Sequence, residues 1–453
     1  ANRGDAASHR GVARDLAALL RTSLKPIPNL DLKQGNCPID IVLESAENCP
    51  RYTGILLKNI KVKESPDWLK NRLKSLGLNP INNVVDVTNF VLHDLGQPIH
   101  AFDASKIEGK QVVIRQAKEG EEIITLNGNT RKLSSEDLVI ANSNKAMAIA
   151  GVFGGKDSGV SESTTEVFIE SAYFNPASIR KTAKRHSLST DASFRYERGT
   201  DPEITISALK RVVQLLKELA GAECVGDYND VYPNPIPARE IKLRFKELKR
   251  IIGQDIPAQE VKEILQGLEI NIKSEDADGF LCVVPTLKPD VEREVDLIEE
   301  VLRIYGLNKI EFPGRIQISM SGSPYPSAVF LRERMANTLV ANGYLELGTN
   351  SMTKMAYYGE QSKAQAIKMM NPLSADLEIM RMSMIPSLLE AISYNLNRKN
   401  SDLRFFDFGK IYKKQDSKIV ENSRLLIGLT GNYRAESWFS KPEKSGVFHL
   451  KQL

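Results

Sequence analysis

The alternation of apolar and polar positions divides the chain into helical and extended runs. Val12, Leu16, Leu19 and Leu20 recur at helical spacing, which predicts a helix over residues 11–20. Residues 40–43 and 54–57 read as strands. Ser65-Pro66 opens a helix that runs to Leu76 and is closed by Gly77. Asn82-Asn83 signals a turn, and Val84 to Val87 is branched and strand-like. Thr88 then caps a helix that Gly96 and Pro98 terminate. Short strands follow at 112–115, 123–126, 138–141 and 146–150, with turn signals at Asn127-Gly128 and Asn142–Asn144. Residues 167–172 form another strand. Asn175-Pro176 and Asp201-Pro202 each start a helix, the second ending at Gly221. Between these two helices, residues 188–202 read as a loop. From 241 to 306 the order is strand, helix, helix, hairpin, helix. Helices at 328–341 and 386–396 lie among mixed strands in the last segment.

At 453 residues the chain has room for three or four domains. YPNPIP at 232–237 places three prolines in six residues and marks an extended linker. Pro313, Pro324 and Pro326 mark a second boundary over 312–327. Hydrophobic content of 42% with 26% charged residues is that of globular protein. No apolar run reaches the ~18 residues that span a membrane as a helix. A net charge of +4 is too small to imply nucleic acid by itself, so any RNA would meet a local basic face or a partner. Cys37, Cys49, Cys224 and Cys282 form no C-x-x-C pair, and free cytosolic thiols are the expectation.

Candidate chemistry gathers in five places. Asp86, Asn89, His93, Asp94, Gln97 and His100 put many polar side chains into an apolar stretch. If buried they need partners, and a pocket for a polar ligand would supply them. A lone histidine after a helix is more often a satisfied structural one. The loop GVFGGKDSG, residues 151–159, is not a phosphate loop, because Ala150 and Asp157 stand where Gly and Ser or Thr are needed. It is either a tight turn or a place where Gly154 and Gly155 let backbone approach a ligand. Glu170, inside VFIESAYF, either faces water, meets an Arg, or sits in a site. Thr190, Asp191, Ser193, Arg195, Glu197 and Arg198 crowd the loop after it. Finally, Asp296, Glu299 and Glu300 lie three and four apart on one helix face, with Asp290 before it. Such runs are usually solvated, although Mg²⁺ held through carboxylates and waters would relieve their repulsion.

The stretch NNVVDVTNFVLHDLGQPIHAFD, residues 82–103, resembles the editing domain of bacterial phenylalanyl-tRNA synthetase beta subunits. The resemblance extends over nearly the whole chain and includes FFDFGKIY at 405–412. It implies an α+β multidomain protein. Residues 1–50 would be the remainder of an N-terminal structural domain, and 51–231 a mixed α/β editing domain. Residues 238–310 would form a small winged-helix-like α+β domain, and 327–453 a degenerate class II synthetase-like domain with an antiparallel sheet. The chain would be a fragment without the family's inserted OB-fold and C-terminal anticodon-binding domain. The family's holoenzyme is a cytoplasmic (αβ)₂ heterotetramer in which the alpha subunit joins phenylalanine to tRNA(Phe) with ATP and Mg²⁺; no membrane is involved. The beta subunit hydrolyses tyrosine wrongly attached to that tRNA. Asn89, His100, Gly154, Gly155, Glu170, Thr190 and Ala192 match pocket positions, with Glu170 on the tyrosine hydroxyl. Asn83 stands near a place where the family can carry an Arg. Asp290, Asp296, Glu299 and Glu300 match a Mg²⁺ site at the alpha-subunit contact. Two other readings stay open: a structural, tRNA-docking subunit with an inert pocket, and a free-standing hydrolase of another ester. The second of these lacks a visible nucleophile.

Overall fold

The computed structural model describes residues 3–311, 314, 327–416 and 418–453. The boundary expected at 312–327 therefore lies almost entirely outside the described residues. The chain divides into one compact unit up to Gly314 and a second from Arg315 to Leu453.

The first unit is built on two facing sheets. One is antiparallel, in the order Glu223–Val231, Arg51–Lys58, Val167–Tyr173, Ile99–Asp103. The other runs Asp40–Leu43, Gln111–Gln116, Leu138–Ala141, Ala146–Ile149, Phe153–Gly154, and only its first pair is parallel. Tyr52, Leu56, Phe102 and Phe168 from the first sheet share one core with Val112, Ile114, Leu138 and Ile140 from the second. On the other face of the first sheet, Ile55, Leu57, Val167 and Ile169 pack against Val84, Val87, Leu209 and Val213 from helices. With both faces covered, Arg51–Lys58 is buried along seven of its eight residues. Strand side chains alternate in direction, so a single strand serves both cores.

A third sheet, Arg239–Arg244, Gly279–Val284, Asn271–Asp276, packs with the helices Phe245–Ile252, Ala258–Gly267 and Glu294–Tyr305 around Leu243, Leu265, Phe280 and Val301. The order strand, helix, helix, hairpin, helix is the one the apolar spacing predicts. A closed ring of alternating charges ties the N-terminal segment to this part. Arg3 pairs with Asp5 and Asp15, Lys288 with Asp5 and Glu300, and Arg303 with Glu300 and Asp15, all at 2.6–2.9 Å.

Two local expectations change, and one expected helix packs through its small residues. Val84 to Val87 is the first turn of the helix Asn83–Leu95, not a strand. The Asn82 side chain accepts from the amides of Val84 and Val85 and caps it, and Val84, Val87 and Val91 then bury one face. The helix His9–Leu20 forms, but its apolar stripe faces outward: Val12, Leu16, Leu19 and Leu20 are half or more exposed. Its buried face is Gly11, Arg14, Ala17 and Ala18, and the small Ala18 permits a close crossing at Gly267, where a Cβ would lie 3.1 Å from it. The loop at 188–202 contains a short helix, Asp191–Tyr196, nucleated by a capping box between Thr190 and Ser193.

In the second unit a hairpin, Arg404–Gln415 with Lys418–Leu429, pairs in parallel with Leu345–Glu346. The helices Ser327–Ala341 and Ile385–Leu396 accompany it. Arg381 is buried, donates to the Thr349 hydroxyl and lies 3.7 Å from buried Asp407. No helix among the described residues is long and apolar enough to cross a membrane.

Candidate functional site

Glu170 sits in the middle of Val167–Tyr173, opposite His100 on one side and Gly54 on the other. Alternation turns Phe168, Glu170 and Ala172 toward the second sheet, while Val167 and Ile169 face the helices. The carboxyl therefore lies inside an apolar core, with the residue 4% exposed. Its Oε2 accepts a 2.8 Å hydrogen bond from the Tyr52 hydroxyl. No cation pairs with it among the described residues. Loss of solvent pushes the acid from 4.5 up to about 8, and the Tyr52 bond offsets only part of that rise.

His100 stands beside it on Ile99–Asp103. The residue as a whole is half-buried, but Nε2 is closed off from solvent and has no hydrogen-bond partner among the described residues. Burial lowers the imidazole from 6.5 to about 4, so it is neutral near pH 7. The ring rests edge-on against Phe102 at 4.5 Å. On another side it meets Gly154, where a Cβ would come within 2.8 Å of the imidazole Cε1. Glycine at 154 is thus a condition of the histidine's position.

These residues wall a cavity of about 90 Å³, with Pro98, Ile140, Phe153, Ala192 and Tyr196 among the other walls. The size is of the same order as the ~150 Å³ engineered cavity that takes up benzene. An apolar cavity with one acid that has no countercharge and one imidazole nitrogen that has no partner among the described residues is suited to a flat, weakly polar group that brings its own hydrogen-bonding atom.

The expected pocket residues separate into three groups. Glu170, His100, Gly154 and Ala192 line the cavity together. Thr190 acts from behind: its hydroxyl donates to the Val152 carbonyl at 3.0 Å, pinning the turn at 151–155 while capping the helix that carries Ala192. Asn89 and Gly155 are placed elsewhere. Asn89 is half-buried on the helix Asn83–Leu95 and is not part of the wall. Gly155 lines a different groove of about 930 Å³ with Lys106, Lys145 and Lys156, and a Cβ on it would strike the Met147 carbonyl. Asn83 caps nothing in the cavity; it is buried and bonds the backbone of Lys61 and Lys63. Ser193 is no nucleophile here, since its hydroxyl is bound to Thr190.

Sequence reasoning passed over Tyr52 and Tyr196. Tyr52 lies 118 positions before Glu170, and only the strand register joins them. Tyr196 is fully enclosed; its hydroxyl donates to the Ala172 carbonyl at 3.0 Å and its ring stacks edge-on against Phe174.

The acids at the other end of the unit do not converge. Glu300 is buried between Lys288 and Arg303. Asp296 accepts from the amides of Glu292 and Arg293 at the start of its own helix. Asp290 and Glu299 are exposed. No group of three or more His, Cys, Asp or Glu among the described residues is placed to hold a metal. As they stand, these four carboxylates do not fit a cation site, because two have their oxygens engaged.

Three family models match along the chain. They are a B3/4 domain over residues 48–221, a tRNA synthetase B5 domain over 241–307, and a phenylalanyl tRNA synthetase beta chain CLM domain over 315–453. Among curated relatives, the phenylalanine–tRNA ligase beta subunit of Bacteroides fragilis is 44% identical over 99% of this chain. That of Carboxydothermus hydrogenoformans is 37% identical over the full chain. The chain belongs to the phenylalanine–tRNA ligase beta-subunit family. It spans 57% of the length of either relative. A solved N-terminal fragment of the phenylalanyl-tRNA synthetase beta subunit from Pyrococcus horikoshii is 17% identical, covering 67% of this chain and 84% of its own, with a TM-score of 0.35. Within the beta-subunit framework, the Glu170 cavity falls in the B3/4 match and the Glu300 ion pairs fall in the B5 match.

Proposed function

We propose that this chain is part of the beta subunit of a phenylalanine–tRNA ligase, and that the Glu170 cavity hydrolyses tyrosine wrongly attached to the phenylalanine tRNA. The observation that carries the reading is Glu170 itself: a glutamate on a cavity wall, closed off from solvent, held by a single hydroxyl and without a cation. Phenylalanine and tyrosine differ by one hydroxyl, and an apolar site alone separates them by only about a hundredfold. A buried carboxyl that a phenol satisfies and a phenyl ring leaves unpaired supplies the second sieve.

The chemistry is ester hydrolysis by a positioned water. His100 is neutral near pH 7, with one free ring nitrogen able to orient that water or the ester. With Ser193 committed to a helix cap, no covalent intermediate is required. Joining phenylalanine to tRNA with ATP and Mg²⁺ belongs to an alpha subunit in a cytoplasmic (αβ)₂ assembly. We assign the domain limits 1–50, 51–231, 238–310 and 327–453 within it. We assign Asp290, Asp296, Glu299 and Glu300 to the subunit contact; as they stand, they gather no cation site among the described residues.

The test is Glu170→Ala in the assembled synthetase. Hydrolysis of tyrosyl-tRNA should fall about 10- to 150-fold, the equivalent of a hydrogen bond of ~1.5–3 kcal/mol to a carboxyl. Attachment of phenylalanine should be unchanged. Clearance of tyrosyl-tRNA at the normal rate would remove the assignment.

A further inference from the structure

Glu170 has two oxygens, and among the described residues only Oε2 has a hydrogen-bond partner, the hydroxyl of Tyr52. Tyr52 is fully buried and does not line the cavity. In the strand register it stands opposite Ala172, one step along the same face from Glu170. The position directly opposite Glu170 is Gly54, and the Phe168 ring occupies the space a side chain there would need, with Cζ 2.2 Å from a Cβ. The glutamate is thus bracketed. Phe168 fills the gap over Gly54, Tyr52 grips one oxygen from the diagonal, and His100 stands on the cavity side.

We propose that Tyr52 is the positioning residue that makes Glu170 selective for a hydroxylated aromatic ring. By donating to Oε2 it fixes the plane of the carboxyl and leaves Oε1 as the atom presented to the cavity. This rests on the editing reading above and adds to it a residue that touches no substrate.

The hydrogen bond also decides which atom carries the acid's proton. Tyr52 is the donor, because its hydroxyl has no other acceptor among the described residues. A neutral Glu170 then holds its proton on Oε1 and offers an O–H to the cavity; an ionised Glu170 offers a bare Oε1. A phenol can accept from the first and donate to the second. A phenyl ring can do neither. The site therefore takes the hydroxyl in either protonation state, but more strongly when Oε1 is ionised, because a charge-assisted hydrogen bond is about twice as strong as a neutral one. Editing then follows the titration of Glu170, provided Oε2 stays occupied. Glu170, pushed up to about 8, exchanges between these states near neutral pH. The Tyr52 bond favours the ionised form, so its removal raises the acid's pKa further.

The experiment compares Tyr52→Phe, Glu170→Ala and the unchanged protein in the assembled full-length synthetase. It follows hydrolysis of tyrosyl- and phenylalanyl-tRNA between pH 6 and 10. Tyr52→Phe should lower the preference for tyrosyl-tRNA about tenfold, the loss of one hydrogen bond. It should also move the pH midpoint upward, which a loss of packing alone would not do. Wild-type preference with an unmoved midpoint, alongside a Glu170→Ala protein that has lost editing, overturns the role of Tyr52 and leaves the site intact. A Glu170→Ala protein that still edits instead overturns the reading of the site. If Tyr52→Phe does not fold, a fluorotyrosine placed at position 52 alone keeps the shape and makes a stronger donor. The midpoint should then move downward, and an unmoved midpoint overturns the proposal.

Discussion

Two buried glutamates in the first unit face opposite fates. Glu170 is 4% exposed and Glu300 is 6% exposed, so both have left water almost completely. Glu300 lies between Lys288 and Arg303, and these cations hold it below the usual carboxylate range despite the cost of burial. Glu170 has a tyrosine hydroxyl only, and burial drives it up to about 8. Enclosure by itself does not mark a functional acid. A buried carboxylate with its countercharges in place closes a structure, whereas one without them keeps hydrogen-bonding capacity for something that arrives later.

The largest effect should come from breaking the satisfied partner. Glu300→Gln leaves Lys288, 1% exposed, with Asp5 as its remaining countercharge and opens the six-membered ring. Removing one member of a buried pair costs roughly 3–5 kcal/mol. Denaturant unfolding of the first unit should show a loss of that order, with faster hydrogen exchange in the helix His9–Leu20, which the ring holds through Asp15. An unchanged midpoint would mean that the ring does not contribute.

Glu170 should respond in the other direction. Its acid titrates at 4.5 in the unfolded chain and near 8 in the folded one. As pH rises through that window the unfolded chain releases its proton first, so folding stability falls. Glu170→Gln removes the titration, and the variant should gain on the parent by about 4 kcal/mol between pH 4.5 and pH 8.5. His100 provides the mirror image on a smaller scale. Its pKa falls from 6.5 to about 4 on folding, so the unfolded chain takes up the proton first and stability is lost as pH drops through that range. His100→Gln should flatten this acid limb by about 3 kcal/mol, read from urea midpoints at pH 4 and pH 7. Parallel pH curves for parent and variant in either window would show that the group is better solvated than its position implies.

The contrast also explains what could be read from the sequence. The Glu294–Tyr305 helix, the hairpin before it and the strand carrying Glu170 follow from local periodicity and turn residues. That Glu170, His100 and Ala192 share a cavity was legible only through family resemblance, since the strand pairings that join them link distant positions. Tyr52 was not legible at all: nothing within RYTGILLK shows that it lies diagonal to a glutamate 118 residues later. Val84–Val87 misleads for a local reason. Branched residues favour strands, but the Asn82 cap and a buried helix face outweigh that preference. Val12, Leu16, Leu19 and Leu20 mark a helix but not its buried face, because the helix packs through alanine and glycine and turns its larger residues outward. The acids at 290–300 share spacing, yet Lys288, outside that pattern, decides what Glu300 does.

The smallest effect sharpens the comparison most. Asp290 and Glu299 belong to the same acidic run as Glu300, but both are exposed, and neither side chain pairs with a cation among the described residues. If pairing and burial, not acidity, give Glu300 its weight, the double substitution Asp290→Asn with Glu299→Gln should move the unfolding free energy by no more than about 0.5 kcal/mol. Desolvation of the Asp290 carboxyl and the nearby charges of Asp5 and Glu300 push it above its ordinary range, so any shift should be toward greater stability. The same urea experiment used for Glu300→Gln measures it. A loss comparable to that of Glu300→Gln would show the run stabilising the helix as a unit. Lys288 and Arg303 would then no longer account for the difference between the two buried glutamates.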